Sequence, residues 1–330
     1  MLNRPVVTQP VEVVEAADDS KPSLGGVSVE SPSPPPRGGS LDEQLRASQV
    51  PPPWLGSVST PYNTSKPWSE ARLEIRRLLG LNHDAARREA IKLTWIYLQK
   101  NDIGDGHEYP MYMFLGGEPV WAARAYEEFI AKPHQNTPLH AMLPLASLYV
   151  TFGEFDKAEG VLRRALQEPP APPWRISAQA DVNAAFGDLY AAWGKTDVAR
   201  KHYAEAIRLY PTSNQPYGHH QLKFKAGKVQ TRLDLLDARA IESAKLKDGR
   251  YQMTSLGYSG DVAVTVRIAQ GRIADVQIKH QEKIDQNACV LVPKRIVERQ
   301  SLQVDSISGA TITKDAIVDG VFRGLKQAAR

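Results

Sequence analysis

Apolar residues recur at helical spacing over most of the middle of the chain. Ala71, Ile75, Leu78 and Leu79 make one stripe, and Ala86, Ala90, Leu93, Ile96 and Tyr97 make another. Between them Gly80-Leu81-Asn82-His83-Asp84 reads as the end of one helix and the N-cap of the next. Leu145, Ala146, Tyr149, Gly153, Ala158, Leu162, Ala165 and Pro170 then return as Phe186, Gly187, Tyr190, Gly194, Ala199, Tyr203, Ala206 and Pro211, at the same spacings. Small residues at Ala146/Gly187 and Ala158/Ala199 predict close helix approach, with Tyr149 and Tyr190 filling the gap. Gly153 and Gly194 predict turns, and Pro170 and Pro211 helix ends. A weaker copy holds Gly117, Ala122, Tyr126 and Phe129. Leu233, Leu236, Ala240 and Ala244 form a further stripe over a connecting helix. Near residue 260 the period changes to two: Val262, Val264, Val266 and Ile268 alternate with polar or small residues. Gln270-Gly271 marks a hairpin turn, and Ile273, Val276 and Ile278 return the chain. Ala316-Gly320-Gly324 and Ile317-Val321-Leu325 restore helical spacing at the end.

The eight-position repeat resembles the tetratricopeptide (TPR) pattern. That resemblance implies an α-solenoid able to hold a protein or peptide ligand in its groove. Residues 1–66 lack such periodicity. Pro32-Ser33-Pro34-Pro35-Pro36 and Pro51-Pro52-Pro53 favour extended chain, so this stretch is expected to be a disordered Pro-rich linker, either a tether or a tail with no task. The expected division is 1–66 linker, 67–215 TPR-like helical repeats, 216–246 capping or connecting helix, and 247–330 a small α+β domain.

Composition narrows the chemistry. The net charge of +4 comes without a basic cluster interleaved with aromatics, which leaves nucleic-acid binding without support. The single cysteine, Cys289, excludes an internal disulfide, a thiolate zinc cage and a cysteine-ligated iron–sulfur cluster, and reads as a buried apolar residue. No apolar run approaches the ~20 residues of a membrane-spanning helix, and the N-terminal residues carry no signal-peptide core. No catalytic triad, metal site or dinucleotide fingerprint stands out. His219-His220 reads as a surface pair.

The chemical signal is Asp305-Ser306-Ile307-Ser308-Gly309-Ala310-Thr311-Ile312-Thr313. A hydroxyl- and glycine-rich turn opening a helix is first of all a capping turn. It is also a place to hold an anion, because the first N–H groups of a helix are unsatisfied and its dipole is positive there. The order Asp-x-x-Ser-Gly-Ala-Thr-x-Thr resembles the flavinylation motif of the FMN-binding domain family, found in subunits of sodium-pumping NADH:quinone oxidoreductase and of the Rnf complex. Gly257-Tyr258-Ser259-Gly260 resembles the family's Gly-Tyr-x-Gly turn. One departure stands out: many members have Glu-Thr-Pro-Gly near the flavin ring, where this chain has Glu282-Lys283-Ile284-Asp285.

The resemblance implies FMN esterified to Thr311. Asp305 and Ser308 would order the turn, Gly309 and Ala310 would admit the phosphate, Thr313 would cap the helix, and Gly257 and Tyr258 would line the site. It also implies a magnesium-dependent flavin transferase with FAD as donor, an unknown redox partner, a membrane-associated complex, and a place in the bacterial periplasm or on the outer face of the inner membrane. The expected whole is an α-helical TPR solenoid plus an FMN-binding domain that relays electrons rather than turning over a substrate of its own. The alternative is a TPR scaffold with a flavin-free C-terminal module.

Overall fold

The computed structural model describes residues 40–237, 246–304 and 309–329. Its first helix, α1 (Leu41–Ala47), lies inside the expected linker. Ser40 accepts from the Glu43 N–H, and the Glu43 carboxylate accepts from the Ser40 N–H. This reciprocal capping box is spelled by Ser-x-x-Glu in the sequence. Leu41 is fully buried. Its N–H donates to Glu154, and Asp42 pairs with Lys157. A single 3-10 turn, Pro53–Ser57, buries Leu55, whose carbonyl accepts from Lys92 Nζ. Leu41–Ala47 and Pro53–Ser57, within the linker expected over residues 1–66, are therefore folded; residues 1–39 lie outside the described residues. Leu41 and Leu55 supply apolar surface that outweighs the proline content around them.

Among the described residues the α-helices that follow are α2 (Trp68–Gly80), α3 (Asp84–Gln99), α4 (Glu108–Leu115), α5 (Pro119–Ala131), α6 (Leu139–Thr151), α7 (Phe155–Gln167), α8 (Arg175–Ala192), α9 (Thr196–Leu209) and α10 (His219–Leu235). The Gly80–Asp84 boundary falls where the sequence puts it, with Asn82 at φ 55° and His83 as N-cap of α3. Gly153 and Gly194, at φ 75° and 76°, turn α6 into α7 and α8 into α9, a conformation that side chains with a Cβ resist. The two tyrosines expected to fill the gap inside each pair set their rings against its second helix, Tyr149 under Lys157 and Tyr190 on His202, and their hydroxyls reach back to the preceding helices. Tyr149 donates to Glu127 of α5 and Tyr190 to Glu159 of α7. The gap at Gly187 is filled by Tyr203, whose ring carbon lies 2.2 Å from where a Cβ would stand. Of the connecting-helix stripe, Leu233 and Leu236 are partly buried against the helical core; Ala240 and Ala244 lie outside the described residues. His219 and His220 are exposed.

The C-terminal part holds an antiparallel sheet ordered β1 (Gly249–Leu256), β2 (Asp261–Ala269), β3 (Arg272–Lys279). The period-two reading holds: Val262, Val264, Val266 and Ile268 are all buried, and Gln270 and Gly271 turn the chain at φ 53° and 69°, as a tight hairpin requires. Helices α11 (Ala288–Arg299) and α12 (Thr311–Ala328) share this core. The small stripe of α12 has a steric reason. A Cβ on Gly320 would stand 2.5 Å from Val264 and one on Gly324 3.2 Å from Val266, so glycine sets how closely α12 lies on β2.

The helical region grips this part at two places. On one side Gly80 approaches the Lys283 carbonyl, Ile284 packs against the α2–α3 core, and Asn82 Nδ2 donates to Asp285 at 2.8 Å. On the other, α10 sends Thr231 to Asp319, Arg232 to Asp315, and Lys228 Nζ to the Leu256 carbonyl.

Candidate functional site

The site forms where α12 begins. Thr311 is the first residue of α12, and no side chain among the described residues caps this helix. Gly309 precedes it at φ 76°, a left-handed conformation that glycine adopts at no steric cost. A Cβ there would stand 3.2 Å from Leu115 of α4 and 3.5 Å from Gln286. Ala310 is buried and Thr311 is half-buried. The Thr311 hydroxyl makes no hydrogen bond to another described residue. Thr313 does not cap the helix as expected: it is buried, and its hydroxyl donates 2.9 Å to Glu282 Oε2. The capping role fails because that hydroxyl is already committed to a carboxylate. Asp305 and Ser308 lie outside the described residues.

Glu282 joins this helix start to the turn after β1. Its Oε1 accepts from the Ser259 N–H at 3.0 Å, and the turn is closed by Gly257 N–H donating to the Gly260 carbonyl. Gly257 has no room for a side chain, since a Cβ would meet Glu282 Oε1 at 2.1 Å. Tyr258, in the same turn, stands 65% exposed. The structure thus brings together Gly257, Tyr258, Gly309, Ala310, Thr311 and Thr313, with Glu282 as the hinge pin. Glu282 was visible in the sequence as the first residue of the departing stretch, but its bond to Thr313 spans 31 residues and has no local signature.

The rest of that stretch faces the helical region. Lys283, Ile284 and Asp285 hold the joint with α2 and α3, and Gln286 Nε2 donates 2.7 Å to the Leu115 carbonyl. The departure from Thr-Pro-Gly thus has a structural reason here: these residues fix the two parts together.

Electrostatics at the helix start are mixed. Burial alone would raise Asp315, but Arg232, Lys314 and Lys228 outweigh it and hold its carboxyl below the usual range. Burial lowers the Lys228 ammonium. Burial, then the neighbouring Asp285, pushes the Cys289 thiol well above its ordinary value; the residue is buried, as the sequence leads one to expect.

The arrangement fits a flavin phosphate at its anion end. N–H groups that no described side chain caps, a glycine approach and a hydroxyl with no partner among the described residues converge at one helix start, and Glu282 links it to the turn that carries Tyr258.

Comparison with known proteins agrees. The family model of the FMN-binding domain matches residues 257–326. The NADH:acrylate oxidoreductase of Vibrio harveyi is 35% identical over 87 residues, 26% of this chain and 9% of that protein. An uncharacterized protein of Treponema pallidum (strain Nichols) is 37% identical over 93 residues, 27% of this chain and 26% of that protein. The chain therefore spans only a small part of these relatives. No solved structure matches. Among the described residues no helix is long and apolar enough to cross a membrane. Strand β1 lies before the matched segment and completes its sheet, so residues 257–326 at the C-terminal end are an FMN-binding domain, the mark of a flavoprotein.

Proposed function

We propose that the chain is an electron carrier with FMN held covalently through a phosphoester to Thr311. The observation that carries this reading is the position of Thr311: a half-buried hydroxyl with no partner among the described residues, on the first residue of a helix that no described side chain caps, just after a left-handed glycine. Gly309 and Ala310 give the phosphate its approach, and the N–H groups of the first turn of α12 bind its oxygens. Glu282 orients the turn and the helix start through Ser259 and Thr313. Tyr258 offers a face for the ring, because aromatic rings stack on aromatic rings. Bound FMN supplies a centre that accepts and gives up one or two electrons. Thr311 has no adjacent base among the described residues, and a nucleophilic hydroxyl needs one. A separate magnesium-dependent flavin transferase, with FAD as donor, would supply the activation. The helical region, read as TPR repeats, holds a redox or assembly partner, and the protein works in the periplasm or on the outer face of the inner membrane.

The scaffold reading draws on a different observation: Lys283 to Asp285, which would flank the ring, are spent on the joint. One experiment separates the two. On co-expression with a flavin transferase, wild type gains the mass of FMN less one water and fluoresces in a denaturing gel. Thr311→Val loses both, whereas Thr313→Val keeps the label, since Thr313 is committed to Glu282. Label on Thr311→Val makes Thr311 the wrong residue. A wild type without label overturns the carrier reading in favour of the scaffold.

A further inference from the structure

The loop between β3 and α11 gathers three side chains that flavin attachment does not use. His280, Asp285 and Cys289 bring a nitrogen, an oxygen and a sulfur whose donor atoms all lie within 4.8 Å of one another. Among the described residues no other group of three His, Cys, Asp or Glu side chains comes as close. Asp285 is 6% exposed, and the donors to its carboxylate are neutral. They are Asn82 Nδ2 at 2.8 Å and the N–H groups of Asn287 and Cys289 at 3.2 and 3.1 Å. Two of these belong to the start of α11, so Asp285 serves that helix as a cap. The Cys289 sulfur lies on the same side, within 4.8 Å of that carboxylate. Asn82, which holds Asp285 in place, leaves its own Oδ1 buried with no partner, a costly acceptor that a cation-bound water would satisfy.

We propose that His280, Asp285 and Cys289 bind one divalent cation of the zinc type, with water in the remaining position. The donor set chooses the metal class. Magnesium and calcium take oxygen ligands, whereas a thiolate with an imidazole and one carboxylate suits zinc and its neighbours. Tetrahedral zinc places its donors about 3.5 Å apart, so a small closure of the loop completes the site. His280 is exposed and can make it. On binding, sulfur and carboxylate close on the cation and the thiol proton leaves to solvent. Where the cation is taken at His280 Nδ1, it replaces the hydrogen bond that this nitrogen accepts from the Glu282 N–H at 3.2 Å. The site therefore lies between Asn82 of the helical region and Glu282 of the flavin site.

The test uses the full chain, flavin-free and stripped of metal, titrated with Co(II). The expected result is one equivalent bound with a thiolate-to-cobalt charge-transfer band, bleached by one equivalent of Zn(II). Cys289→Ser should bind without that band. His280→Ala should keep its fold and lose affinity by at least about tenfold, the least that even an outer partner of a metal ligand costs. Absence of the band in wild type overturns the site. Equal cobalt affinity in His280→Ala and wild type also overturns it, and that variant decides the question even where Cys289→Ser folds poorly.

Discussion

Arg232 of α10 and Asp315 of α12 form an ion pair in which both side chains are largely shielded from water, and Arg232 extends its other nitrogen 2.8 Å to Asp188 of α8. One guanidinium thus ties the helical region to the helix that begins with Thr311. Removing one partner of a buried pair leaves a charge without compensation, which costs more than the pair itself contributes. Arg232→Met should lower stability by about 3 kcal/mol. Combining it with Asp315→Asn should restore part of the loss, with a coupling of about 1–3 kcal/mol. Urea denaturation of the two single variants and the double one measures it, and additive effects would place the attachment elsewhere.

The same pair predicts a response to acid. Asp315 is held below its unfolded value of 3.8, so its contribution is complete above that value and fades as pH falls through the lower folded value. The stability difference between wild type and Asp315→Asn should be greatest near neutral pH and vanish in strong acid. Denaturation midpoints across an acid series report it. A difference that grows toward low pH would mean that the carboxyl is held protonated.

Two helical glycines should respond in opposite directions. Alanine at Gly160 meets nothing within 4 Å, so Gly160→Ala should stabilise by about 0.5–1 kcal/mol through helix propensity. Alanine at Gly187 would meet the Tyr203 ring at 2.2 Å. There overpacking, at about 1–3 kcal/mol, outweighs the same gain, and Gly187→Ala should lower the melting temperature. A stabilised Gly187→Ala would show that Tyr203 swings away freely.

Leu41 tests whether its stretch packs on the helical region. It is fully buried, so Leu41→Ala should cost about 2–5 kcal/mol, seen as an earlier loss of helical signal on heating. An unchanged melt would return this stretch to the linker.

What the sequence revealed follows the range of the interactions. The valine alternation of β2, the Gln270-Gly271 turn and the Gly80–Asp84 boundary depend on neighbours in the chain, and they were legible. The capping box at Ser40 and Glu43 was equally local, but the surrounding prolines masked it. The joint was hidden because Asn82 and Asp285 lie 203 positions apart, and no periodicity links them. The motif at Thr311 was readable as a string of residue types. The assignment of Thr313 to capping failed because Glu282, its actual partner, arrives from the end of another strand. In the cluster of His280, Asp285 and Cys289 the last two stand four residues apart, but His280 lies five before Asp285 on no shared period, so the group of three is not legible until the loop folds.

The contact of Gly80 with the Lys283 carbonyl and the packing of Ile284 on α2 and α3 limit how freely this protein can be taken apart. A C-terminal fragment beginning at β1 would expose Ile284 and deprive Asp285 of Asn82. A helical fragment ending at α10 would leave a gap beside Gly80 and Leu115, together with Arg232 facing a missing Asp315. Neither half is a portable cassette, and exchanging one between distant relatives requires the matching surface of the other to travel with it.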